Sequence, residues 1–252
     1  MKLYPAKSLP IVFLSTGSMK TYLAFLLLFT ISNGFSQQRS YFDPAQAYNR
    51  LLVEKNNGTY TQVSNFKVVG SSYLYGEKNK GDIFGASETG KDISLSYDTY
   101  KQNVYFFPGS DAGVGLTKEP GSLDSFRINK NAALGLEDNI TFIYGTVLGS
   151  KDKNYFQVVT RGKNVSLYKK YTSELGMVST NYIQAELRQF NILVDYYFAD
   201  STGKGLKKLK VNPKNISKEF SYIKDLSSFI NTDELVSYRD QELVRIFQEL
   251  NK

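Results

Sequence analysis

The sequence predicts a mainly β protein, α+β in the order of its elements, with helices at both ends packed on an antiparallel β domain. Three observations carry that prediction. Runs rich in aromatic and β-branched residues recur about every ten residues between positions 59 and 211, separated by turn residues. Glu186–Ala199 alternates with period two, so that Phe190, Ile192, Val194, Tyr196 and Phe198 share one face. After Asn212-Pro213 the apolar spacing becomes helical. The strand spacing fits an antiparallel sandwich, a barrel or a curled sheet.

Taken in order, residues 1–36 read as a signal region, with the signal peptide proper at 19–36. Lys20 supplies the positive start, Tyr22–Ile31 the apolar run, and Gly34 and Ser36 the small residues before a cleavage that leaves Gln37 first. About ten apolar residues are too few for a bilayer core that needs ~20, so no transmembrane helix is expected after cleavage. Met19 offers an alternative start, since residues 1–18 add nothing a signal needs. Residues 37–58 read as one helix. Asp43 is its N-cap, Pro44 its first residue, Ala47, Tyr48, Leu51 and Leu52 its apolar stripe, and Gly58 its stop.

Residues 59–211 form the predicted β domain. Its strands are Phe66–Gly70, Gly81–Ala86, Ile93–Tyr97, Val104–Phe107, Ser122–Ile128 and Thr141–Val147, then Tyr155–Thr160, Val165–Tyr171, Glu186–Ala199 and Leu206–Val211. Pro108-Gly109 and Pro120-Gly121 mark turns around a glycine-rich loop. Asn139–Tyr171 holds three consecutive strands, the last two joined by Arg161-Gly162-Lys163-Asn164, and the domain is organised around it. Residues 212–252 read as helices docked on this domain. The first carries Ile216, Phe220 and Ile223, continuing roughly to Leu226 and Phe229, and the last is capped by Ser237 and runs to Leu250.

Composition excludes several function classes. The 252 residues include no Cys, His or Trp, against 19 Tyr and 17 Phe. Without Cys there is no thiol for a disulfide or for a lipid-modified N-terminal cysteine. Without His the usual base near neutral pH and the commonest transition-metal ligand are missing, so no cofactor and no transition-metal site is expected, and oxygen ligands leave Ca²⁺ or Mg²⁺ at most. Net charge is +7, but Lys2, Lys7 and Lys20 precede position 37 with no acids among them, leaving 28 basic against 24 acidic residues. That mild excess does not predict nucleic-acid binding, which needs charge clustered on one face.

No motif predicts catalysis. Ser-x-x-Lys occurs at Ser64/Lys67, Ser150/Lys153, Ser166/Lys169, Ser201/Lys204 and Ser221/Lys224, without the accompanying motifs of serine acyl-enzymes. Ser201-Thr202-Gly203-Lys204-Gly205 lacks the first glycine of a phosphate loop and precedes a strand, so it reads as a hairpin turn. Glu137-Asp138 and Asp233-Glu234 are the adjacent carboxylate pairs, one before a strand and one at a helix start, where acids are ordinary. Lys204, Lys207, Lys208, Lys210, Lys214 and Lys218 form the densest basic run. It is read mainly as a solvated edge and secondarily as a candidate polyanion contact.

Phe66-Lys67-Val68-Val69-Gly70-Ser71-Ser72-Tyr73-Leu74, the strand Glu186–Ala199, and Leu206-Lys207-Lys208-Leu209-Lys210 before a helical tail resemble uncharacterised secreted proteins of Bacteroidota-type Gram-negative bacteria. With the signal, the similarity covers roughly residues 41–250. It implies export to the periplasm, the outer surface or the medium, and carries no site residues across. The expectation is therefore a non-enzymatic binding or structural module of the cell envelope, whose partner is an envelope protein or a polyanionic glycan. The alternative is an envelope polysaccharide hydrolase using two carboxylates.

Overall fold

Twelve strands in one continuous sheet make up about half of the structure, a computed structural model that describes residues 61–107, 115–119, 121–177, 187–203 and 205–252. The predicted signal peptide, the helix at 37–58, the loop 109–114, the turn residues Pro108, Gly109 and Pro120, and Lys204 lie outside the described residues. The strands are β1 (Thr61–Val63), β2 (Phe66–Val69), β3 (Tyr73–Gly85), β4 (Thr89–Asp98), β5 (Asn103–Phe107) and β6 (Leu116–Thr117). They continue with β7 (Leu123–Ile128), β8 (Ile140–Tyr144), β9 (Tyr155–Thr160), β10 (Val165–Met177), β11 (Leu187–Asp200) and β12 (Lys207–Leu209). Their order is β1-β2-β11-β10-β9-β8-β7-β3-β4-β5-β6, with β12 also on β11.

β7 to β11 pair as consecutive antiparallel neighbours, with the Asn139–Tyr171 stretch at their centre. One junction corrects the wholly antiparallel expectation: β2 joins the edge of β11 in parallel, Leu187 to Gln189 opposite Lys67 to Val69. No hairpin dictates that pairing, because the two strands are far apart in sequence. The end strands β1 and β6 do not pair with each other, so the sheet is not a barrel. It curls instead. Thr99, in the turn after β4, accepts from the Ser173 amide of β10 at 3.0 Å, and Gln102 Nε2 donates to the Tyr171 carbonyl at 2.9 Å. The strong right-handed twist of a long sheet makes such a return possible.

Inside the curl lies a core of Leu74, Leu95, Tyr97, Phe126, Ile128, Phe142, Tyr155 and Tyr171 among others. Phe126 and Phe142 stack at 4.6 Å, and Tyr97 meets both at 5.3 and 5.4 Å. A second core is built by Val165, Leu167, Tyr196, Phe198 and Leu209 of the sheet with the C-terminal helices. The face of β11 predicted from alternation serves both cores: Ile192 and Val194 pack on the first, Tyr196 and Phe198 belong to the second.

Several predicted boundaries change. β10 and β11 pair from Val165 opposite Asp200 to Met177 opposite Arg188, so β10 continues well past Tyr171. Thr172, Ser173 and Glu174 lack an apolar pattern, but ladder hydrogen bonds do not require one. The strand predicted at Thr141–Val147 stops at Tyr144, and Gly145–Leu148 is a 3-10 turn closed by Gly149 at φ 71°. Gly145 admits no side chain, because a Cβ there would meet the Asp152 carbonyl and lie 3.0 Å from the Phe156 ring.

Among the described residues the α-helices are α1 (Pro213–Phe220), α2 (Thr232–Ser237) and α3 (Arg239–Leu250). Asn212 caps α1 by accepting from the Asn215 amide at 2.8 Å, with Pro213 in the first turn. α1 ends at Phe220, short of the predicted continuation, although Leu226 is still fully buried beneath the following turns. Ser237, predicted to cap the last helix, instead ends α2. Asn231 caps α2 with Asp233 and Glu234 in its first turn, and α3 begins after a break at Tyr238 (φ −134°, ψ 54°).

Candidate functional site

The predicted basic run does not converge on one face. Lys207 and Lys208 are neighbours on β12 and therefore point to opposite sides of the sheet. Lys207 Nζ binds the Asp200 carboxylate at 2.9 Å and lies over the Phe198 ring, while Lys208 Nζ binds Asp195 at 2.8 Å. Lys210 is exposed in the link to α1. Lys214 and Lys218, one helical turn apart on α1, are the pair the structure brings onto a common exposed face. Lys204 lies outside the described residues.

The nucleophile patterns disperse too. Ser166 and Lys169 are three residues apart on β10, hence on opposite faces, and Ser166 Oγ accepts from the Gly162 amide at 3.2 Å. Ser150 Oγ accepts from the Asp152 amide, and Ser221 Oγ donates to the Lys218 carbonyl. Glu137 and Asp138 are exposed ahead of β8, and Asp233 and Glu234 occupy the first turn of α2.

Two ion pairs on α3, each with one deeply buried member, escape sequence reasoning. Lys169 points inward from β10, between the two cores, with its side chain only 4% exposed. Its ammonium pairs with Asp240 in the first turn of α3, and Asp240 also accepts from the Tyr196 hydroxyl at 2.8 Å. Lys169 Nζ lies 3.4 Å from the Tyr171 hydroxyl, which lies 3.4 Å from that of Tyr75. This chain of polar groups ties α3 to the sheet. Its sequence signal is a lysine in the inward register of Val165, Leu167 and Tyr171.

The second pair lines an open groove of about 670 Å³, bounded by residues 228–232, α2 and α3. Glu242, 3% exposed, takes Arg245 Nε and Nη2 side-on at 2.7 Å each, as a fork and a carboxylate do. Its Oε1 also accepts from the Asn231 amide at 2.8 Å. Arg245 Nη2 donates to the Phe229 carbonyl at 2.6 Å, and the guanidinium rests 3.9 Å from the centre of the Phe229 ring. Glu234 and Gln241 line the same groove, both exposed. The i, i+3 spacing of Glu242 and Arg245 is legible in the sequence, but Phe229 and Asn231 reach them only through the turn after α1.

The carboxyls whose pKa is displaced share one direction of shift. Burial pushes Glu242 up, but hydrogen bonds from Arg245 and Asn231, with the Arg245 charge, hold it below its ordinary value. The Asp92 amide, then Arg127, hold Asp82 low, although burial opposes them. The Thr202 hydroxyl and Lys207 bring Asp200 down to about 2. Hydrogen bonds from Lys224 and Lys252 bring Glu249 to about 2. Among the described residues, every carboxyl with a displaced pKa is displaced downward. No described helix is long and apolar enough to cross a membrane. Comparison with known protein families, with curated proteins and with solved structures returns no match.

Proposed function

We propose that this chain is an exported, non-enzymatic binding module of the cell envelope. The observation that carries the reading is geometric: the buried carboxylates of Asp82, Asp200 and Glu242 are each engaged by a cation of the fold, Arg127, Lys207 and Arg245. A polysaccharide hydrolase holds one carboxylic acid protonated near neutral pH by raising its pKa. Here Asp82, Asp200, Glu242 and Glu249 are held ionised by hydrogen bonds and neighbouring cations. Those four act as ties within the fold, while the groove beside Arg245 keeps polar groups turned to solvent. The signal-like segment at 19–36 supports export, and the resemblance to uncharacterised secreted proteins agrees with it.

The test expresses the full chain in a Gram-negative host. N-terminal sequencing of the periplasmic product should begin at Gln37, and the purified protein should release no new reducing ends from envelope polysaccharide. Retention of Met19–Ser36 on the exported protein would overturn the export reading. Reducing ends released by the protein, and lost in a single carboxylate variant, would overturn the non-enzymatic one.

A further inference from the structure

We infer that the groove between residues 228–232, α2 and α3 binds an uncharged, hydroxyl-rich chain, an oligosaccharide without acidic groups. This deepens the binding reading and rests on it. Arg245 is held on three sides: Glu242 takes Nε and Nη2, the Phe229 carbonyl takes Nη2 again, and the Phe229 ring supports the guanidinium plane. Its side chain is nevertheless 42% exposed. The donors that remain are those of Nη1, fixed in direction before any ligand arrives, which lowers the ordering cost of binding. Glu234 supplies a carboxyl group on the same groove, and Gln241 a planar group that donates and accepts.

Charge decides the class of ligand. The groove is lined by one cation, Arg245, and two carboxylates, Glu234 and Glu242, and the cation is already neutralised by its bidentate partner. A polyanion meets a net negative lining and is repelled, which moves the expected glycan partner from polyanionic to neutral. A lone cationic side chain would satisfy Glu234 but leave the Nη1 donors facing a positive charge. A neutral polyol suits both groups, because its hydroxyls can accept from Nη1 and can donate to the Glu234 carboxylate. The groove's volume lies within the range of small-ligand sites.

The experiment titrates the mature chain with maltoheptaose and with N-acetylglucosamine hexamer, against polygalacturonate as the anionic probe, following backbone amides by NMR. A neutral chain should shift amides across 228–245, and polygalacturonate should bind there about tenfold more weakly. Glu234→Ala and Gln241→Ala change exposed side chains, so their thermal midpoints should match the parent. Each should weaken the neutral ligand by about fivefold, as loss of one hydrogen bond does. Unmoved groove amides with both neutral probes, a tighter polyanion, or affinity unchanged in both variants would overturn the proposal. Neutral-chain binding at another surface would remove the groove while leaving the module reading intact. Reducing ends released during the titration would instead remove the module reading.

Discussion

Taking the Lys169 ammonium out of water costs several kcal/mol, which Asp240 and the phenol of Tyr171 offset only while all remain in place. Lys169→Met should therefore strand a partly buried carboxylate and cost roughly 3–5 kcal/mol. In Lys169→Met with Asp240→Asn no charge is left unpaired, and the carboxamide introduced on α3 can still accept from Tyr196. Urea unfolding should show that double variant losing less than the sum of the two singles. A purely additive result would mean the two groups do not interact. Lys208 gives the contrast: its side chain is 58% exposed, so Lys208→Ala should move stability by under about 1 kcal/mol. Alternation puts Lys169 in register with Val165, Leu167 and Tyr171, but it does not say whether that register or the one holding Lys170 faces the helices. Both faces of this part of the sheet are covered, for Phe156 and Tyr168 are buried on the side opposite Lys169.

At the scale of elements, the end of α3 is clasped by the turn between β9 and β10. The Asn251 carboxamide accepts from the Asn164 and Val165 amides at 2.8 and 3.1 Å and donates to the Val165 and Phe247 carbonyls. Asn164 Nδ2 completes the clasp by donating to the Leu250 carbonyl at 2.9 Å. Gly162 lets the amide in, since a Cβ at 162 would occupy the place of the Asn251 side chain. Asn251→Ala removes four of these hydrogen bonds and should cost about 2–5 kcal/mol, and Gly162→Ala, which displaces the same carboxamide, should cost about as much. They should be strongly non-additive in chemical denaturation, because they break the same clasp. The turn itself was legible in the sequence, as were the bounds of β9 and the cap of α1. The clasp was not, because it joins residues about 86 positions apart in the chain through main-chain groups that carry no sequence signature. Strand ends failed where polar residues keep pairing, as at Thr172 to Glu174, and helix ends failed where burial outlasts helical geometry, as at Leu226.

For the molecule as a whole, alternation and spacing indicated one mainly β body with docked helices. They could not choose among sandwich, barrel and curl, because that choice depends on the approach of the turn after β4 to β10 and on the parallel seat of β2. Acid should loosen this assembly. Asp82, Asp200 and Glu242 titrate lower folded than free, so each contributes stability that is complete above its ordinary value. That contribution disappears as pH falls from about 4 towards about 2, and thermal midpoints recorded from pH 7 to pH 2 should drop in that window. The tail provides the sharpest test. Ile216, Phe220, Leu243, Ile246 and Phe247 are fully buried against Leu167, Phe198 and Leu209, with Phe198 4.9 Å from Phe220 and Phe220 5.3 Å from Phe247. Phe220→Ala and Phe247→Ala should each cost about 3–5 kcal/mol, since the rings leave cavities between sheet and helices. A detachable tail would leave the rest of the chain indifferent to its loss. Removing residues 212–252 should instead uncover the second core and abolish the cooperative melt of residues 37–211. A truncated chain that stays soluble and melts at the parent temperature would show that the helices are an appendage and the sheet a self-sufficient domain.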